Sequence, residues 1–176
     1  TAGCALESLR TVGGRLNLYP FPEFGAPALQ SVGNLTLRGQ GFGTEQRALP
    51  SLETVAGQLV VQDLRSADFP RLTSVGGIFL RNITTTTLPL LENAPQFSID
   101  SLPLGATLDA PRLLEVDAFF SSNSNVPEGL VIESAETINV YTASTSGLGF
   151  IRDLPTWGTV QFNDLQGDTL EFPNVV

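Results

Sequence analysis

The chain of 176 residues has no Lys, no His and no Met, and only one Cys and one Trp. Each absence excludes a chemistry. Without His there is no Ser-His-Asp triad and no imidazole metal site. Without Lys there is neither a Schiff base nor a P-loop lysine. One Cys cannot close an intrachain disulfide or a thiolate zinc site. Charge is also scarce: charged residues make up 15%, and nine Arg stand against 18 acidic residues, for a net −9. Phosphate recognition needs clustered positive charge, so scattered Arg in an acidic chain argues against nucleic acid as a partner. No apolar run approaches the roughly 18 residues of a transmembrane helix. No segment keeps an i, i+3, i+4, i+7 apolar stripe over three turns, so little or no helix is expected.

What is present is a repeat. Pro27-Ala28-Leu29-Gln30-Ser31-Val32-Gly33-Asn34-Leu35-Thr36-Leu37 returns as Pro50-Ser51-Leu52-Glu53-Thr54-Val55-Ala56-Gly57-Gln58-Leu59-Val60-Val61. It returns again as Pro70-Arg71-Leu72-Thr73-Ser74-Val75-Gly76-Gly77-Ile78-Phe79-Leu80. Weaker copies begin near residues 4, 89, 111, 130 and 152, with a partial ninth at 173, at steps of 19–23 residues. Each Leu-x-Leu alternates with period 2, the mark of a strand with one buried face. One inward column reads Leu16, Leu35, Leu59, Ile78, Phe97, Phe119, Ile138, Val160. The next reads Leu18, Leu37, Val61, Leu80, Ile99, Ser121, Val140, Phe162, apolar except at Ser121. Leu6, Leu29, Leu52, Leu72, Leu91, Leu113, Ile132 and Leu154 form a third, and Leu49, Phe69, Leu88 and Phe172 mark a position before the Pro. Gly13, Gly33, Gly57 and Gly76 are expected to turn the backbone sharply before the main strand. Stacked one repeat per coil, these columns share a core. The expected fold is therefore all-β: a single domain over 1–176, a right-handed parallel β-solenoid of about eight coils of roughly 21 residues each. At about 4.8 Å per coil the rod is about 38 Å long.

The phrase Pro-x-Leu-x-x-Val-Gly-Gly-x-Leu-x-Leu resembles the receptor L-domain. That is the leucine-rich-repeat-like solenoid of insulin- and EGF-receptor ectodomains, also seen in fungal and bacterial surface proteins. The resemblance covers about residues 4–120 well and 121–176 loosely. The chain departs from the pattern in lacking the cysteines that close receptor L-domains, and its asparagine ladder is irregular, with Asn82 and Asn123 alternating with Gly39, Asp63 and Asp164. The resemblance implies an extracellular or cell-surface binding or scaffolding role and no reaction.

In a solenoid, function sits on outward columns and loops. The outward residues of the main strand include Val60, Phe79 and Phe120, next to Tyr19, Arg38, Arg81 and Tyr141 in the following column. Aromatic and Arg side chains together are what interface hot spots are made of. These seven residues are the candidate binding face, for a protein or a glycan at a cell surface. Arg81 and Asp100 fall in one column of adjacent coils, so a ladder salt bridge is expected. No catalytic set, metal site or cofactor is assigned. Asp63 with Asp100 is the nearest thing to a carboxylate pair, and Asp63 with Asn82, or Asp153 with Asp164 and Asp168, to a stacked calcium ligand set. The repeat-borne calcium motif is missing. Asn34-Leu35-Thr36 and Asn82-Ile83-Thr84 are N-glycosylation sequons. Thr1-Ala2-Gly3-Cys4 has the small residues that precede a lipid-anchored cysteine.

The ends supply an alternative. Solenoids need caps, and none is visible around Cys4, Leu6 and Leu9 or around Phe172, Val175 and Val176. Open ends are templates for further strand pairing. They make the chain a candidate structural subunit, copies of which stack end to end in an extracellular filament.

Overall fold

The computed structural model describes residues 6–19, 26–40, 45–113, 115–123, 130, 132, 134–141 and 156–163. All regular elements among them are strands: β1 (Thr11–Leu18), β2 (Ser31–Arg38), β3 (Gln46–Ala48), β4 (Thr54–Gln62), β5 (Ser66–Asp68), β6 (Ser74–Arg81), β7 (Thr85–Thr87), β8 (Gln96–Asp100), β9 (Thr107–Asp109), β10 (Glu115–Ser122), β11 (Ser134–Tyr141) and β12 (Thr156–Asn163). They form an eight-stranded sheet in the order β1-β2-β4-β6-β8-β10-β11-β12 and a four-stranded sheet in the order β3-β5-β7-β9. Every pairing is parallel. The fold is thus an all-β parallel solenoid. The main sheet has a strand for each expected coil, while the described residues complete about five turns rather than eight.

Packing follows the alternation of the repeat. Leu35, Leu59, Ile78, Phe97, Phe119 and Ile138 stack in one column, and Leu37, Val61, Leu80 and Ile99 in the next; all are buried. Phe97 and Phe119 lie with ring centroids 6.0 Å apart and planes 13° apart, an offset stack between adjacent coils. The Val of each phrase closes the core at the start of the strand: Val32, Val55, Val75 and Val116 are buried. The short strands of the second sheet add two columns, Leu64, Ile83 and Leu102 at its entry and Ala67, Thr86 and Leu108 at its centre.

The Pro corners are β-turns. Leu29 donates its N–H to the Ala26 carbonyl at 3.1 Å, and Leu52, Leu72, Leu91 and Leu113 repeat the bond to Leu49, Phe69, Leu88 and Ala110. Pro27, Pro50, Pro70, Pro89 and Pro111 occupy the second turn position, where a fixed φ near −65° is favourable. In the first coil the same bond joins Leu9 N–H to the Leu6 carbonyl. Leu9, not Leu6, therefore stands in the column of Leu29, and Glu7 stands where Pro27 does.

The glycines act differently from the expectation. They lie inside strands that begin at or before the Val, and none of Gly13, Gly33, Gly57 and Gly76 has a left-handed φ. Register slips occur beside them, between Val12 and Arg15, Val32 and Leu35, and Val55 and Gln58. At these bulges neighbouring backbones close in: a Cβ on Gly33 would sit 2.6 Å from the Gly13 and Gly14 carbonyl oxygens, and one on Gly76 would sit 2.7 Å from that of Ala56. Glycine is needed here for close approach, as at other bulges. The sharp turn comes instead after the strand. Asp63, Asn82, Ser101 and Asn123 adopt φ values of 57°, 47°, 52° and 48°. Each donates its N–H across to the next coil, to the Arg81, Asp100, Ser122 and Tyr141 carbonyls respectively.

Candidate functional site: the outward face of the main sheet

The parallel register turns the outward residues into continuous columns. Asn17, Thr36, Val60, Phe79, Ser98, Phe120, Asn139 and Gln161 are paired in that order across all eight strands, and of these Asn139 is buried. Beside them run Arg38, Gln62, Arg81, Asp100, Ser122 and Tyr141, and Tyr19 directly follows β1. Six of the seven candidate residues lie on these two columns, and Tyr19 lies just past β1. Tyr19 is 48% and Tyr141 40% exposed. Arg38 and Arg81 are exposed, while Val60, Phe79 and Phe120 are half-buried. Val60 and Phe79 are direct cross-strand partners; Phe120 stands two strands beyond Phe79, with Ser98 between them.

Two Arg of this face are paired with carboxylates. Arg81 Nε lies 3.3 Å from Asp100 Oδ2, which is the expected ladder pair, and Arg38 Nε lies 3.5 Å from Asp63 Oδ2. Both guanidinium side chains are more than half exposed, so each pair is worth about 0–1 kcal/mol. Asp63 also accepts a hydrogen bond from Asn82 Nδ2 at 3.0 Å, and Asp100 accepts one from Ser101 Oγ at 3.0 Å. The left-handed corner residues and the Arg column therefore form one polar ladder along the edge of the face. Its carboxylates already have partners, and among the described residues no three His, Cys, Asp or Glu side chains gather. The Asp63–Asn82 stack is thus a hydrogen bond between coils. Asp153, Asp164 and Asp168 lie outside the described residues.

Acidic side chains concentrate elsewhere. Glu53 and Glu92 pair with Arg71 at 2.7 Å and Arg112 at 3.6 Å on the Pro corners. Asp68 and Asp109 face outward on the second sheet. Glu115, Asp117 and Glu136 occupy the first halves of β10 and β11, away from the Arg and aromatic columns. An Arg also breaks the central column of the second sheet: Arg47 is in register with Ala67, Thr86 and Leu108, with its side chain 13% exposed and 3.2 Å from Glu45. A charge turned inward on β3, the outermost strand of this sheet among the described residues, opposes further strand addition there.

The sequons are tied into the sheet. Asn34 Oδ1 accepts the Gln58 N–H at 3.0 Å, and Asn82 Nδ2, the atom that a glycan would modify, is donated to Asp63. Of the residues at the expected end-to-end interface, Leu6 and Leu9 pack partly buried against the core. Cys4, Phe172, Val175 and Val176 lie outside the described residues, as do Leu154 and the remainder of the expected ninth coil.

No protein-family model, no curated protein and no solved structure matches this chain. The architecture is that of a parallel β-solenoid, and the likeness to receptor L-domains rests on the repeat phrase. Among the described residues no helix is long and apolar enough to cross a membrane.

Proposed function

We propose that this chain is a non-enzymatic binding module of receptor L-domain type, working at a cell surface or outside the cell, and that the outward face of the main sheet is its contact surface. One observation carries this reading. Parallel pairing lines up Val60, Phe79 and Phe120 beside Arg38, Arg81 and Tyr141 on one side of the solenoid, with Tyr19 just past β1. Half-buried aromatics are held by the sheet at little entropic cost, and Tyr and Arg offer directional contacts beside them. Catalysis finds no support on this face, because its carboxylates are engaged by Arg, Asn and Ser.

The test uses fluorescently labelled protein on the cell envelope of the source organism. Wild-type protein is expected to bind saturably, and a Phe79→Ser/Phe120→Ser variant that keeps its β-sheet circular dichroism is expected to lose at least tenfold in affinity. Equal binding by both would reject this face.

A further inference from the structure

We infer that the ligand of this face is an uncharged polysaccharide, lying along the solenoid axis across successive coils. This inference rests on the reading of the main-sheet face as the contact surface, and four features of that face select this class.

The first is charge. An anionic polymer needs uncompensated cations, yet Arg38 and Arg81 are each paired with a carboxylate on or just after the next strand, in a molecule of net −9. A cationic partner needs free carboxylates, and Asp100 is held by Arg81 and Ser101. Around the Arg38 and Arg81 pairs at the centre of the face, the complementary ligand is a neutral one. The second is hydrogen-bonding capacity. Asn17 and Gln161 are exposed amides at the ends of the central column, Gln58 and Gln96 are exposed amides two residues before it on their strands, and Gln62 is half-exposed. A side-chain amide both donates and accepts, as does every sugar hydroxyl.

The third is the distribution of apolar surface. A protein partner favours a continuous, desolvated apolar centre. Here Ser98 separates Phe79 from Phe120; Val60 lies on the far side of Phe79 and Asn139 on the far side of Phe120. Gly77 precedes Phe79 on the same face, between Gln58 and Gln96: a Cβ there would lie 3.3 Å from Gln96 Cβ and 3.7 Å from Gln58 Cγ. Two short apolar spots, Val60 with Phe79 and then Phe120, set apart by Ser98, suit pyranose rings, which are apolar on their C–H faces and polar at their rims. The fourth is periodicity. Equivalent positions recur at about 4.8 Å along the axis, a step close to the length of one sugar unit in an extended chain.

The experiment is affinity gel electrophoresis of the full chain in gels containing hydroxyethylcellulose, galactomannan, dextran or soluble starch, with alginate as the anionic comparison. The expected result is retardation by at least one neutral polysaccharide, unchanged between low and high salt. The retardation should weaken at least tenfold in Phe79→Ser/Phe120→Ser and severalfold in Gln96→Ala, whose exposed site leaves the fold intact. Retardation by alginate alone, lost at high salt, would overturn the inference. So would migration unaffected by every neutral polysaccharide; the face itself would then be judged by envelope binding of wild type against the same variants. Retardation by a neutral polysaccharide that all the variants share would overturn both the inference and the choice of face.

Discussion

Thr86 offers a sharp test of how this core is built. It sits at the centre of β7, 1% exposed, in register with Ala67 and Leu108, and its Oγ1 has no hydrogen-bond partner. A buried hydroxyl without a partner costs about 1–3 kcal/mol relative to solvation in the unfolded chain. Val has nearly the same shape, so Thr86→Val removes that cost without opening a cavity, and the new methyl adds apolar burial worth about 0.8 kcal/mol at most. Some of this gain is lost because unfolded chains already bury part of their surface. The expected net effect is a stabilisation of about 1–2 kcal/mol, or roughly 2–8 °C in Tm for a chain of this size. Thr85→Val is the control: Thr85 is half-buried and outward, and the substitution breaks its 3.4 Å hydrogen bond with Thr107, so no gain is expected. Urea denaturation followed by circular dichroism measures both. If Thr86→Val is neutral or destabilising while its m-value is unchanged, the hydroxyl is satisfied in the folded state and Thr86 is not turned into a dry core.

Three further outcomes follow from packing and backbone geometry. Phe119→Ala removes a fully buried ring stacked on Phe97 and should cost about 3–5 kcal/mol in urea denaturation. Gly76→Ala places a Cβ 2.7 Å from the Ala56 carbonyl oxygen, so thermal denaturation should report a loss of about 1–3 kcal/mol, against no comparable loss at Gly13, which has open space around it. At Asn82, with φ of 47°, an Ala substitution should cost about 1–2 kcal/mol, and Gly at the same position should recover most of it, as measured by differential scanning calorimetry.

The inward columns were legible because Leu-x-Leu alternation survives in nearly every repeat, and the same alternation gave the outward face and the Arg81–Asp100 pair. The second sheet was not, because strands of three residues such as Thr85–Thr87 are too short for a period to show, and Ala67 and Thr86 do not read as core. The glycines misled for a physical reason. Gly marks both left-handed turns and close backbone approaches, and only the coordinates of the opposing carbonyls separate the two. The true corner is carried by Asp63, Asn82, Ser101 and Asn123, residue types whose short polar side chains tolerate the left-handed region in the case of Asp and Asn. Their column shows in the sequence as an irregular ladder of Asn and Asp, interrupted by Gly39, which takes the same N–H bond to the next coil without a left-handed φ. In the first coil, the Leu6 and Leu9 pair offered two alignments, and the turn bond between them selects Leu9.

The contact face exists only if outward residues distant in sequence stack into a single continuous surface. Double electron–electron resonance between nitroxides at Asn17→Cys and Gln161→Cys, in a Cys4→Ser background, measures it directly. These two exposed positions end the same column. Seven strand spacings of about 4.8 Å place them about 34 Å apart, and a narrow distribution near that distance is expected. A mean at half that value or less, or a broad distribution without a maximum, would contradict the stacking of these strands in one register.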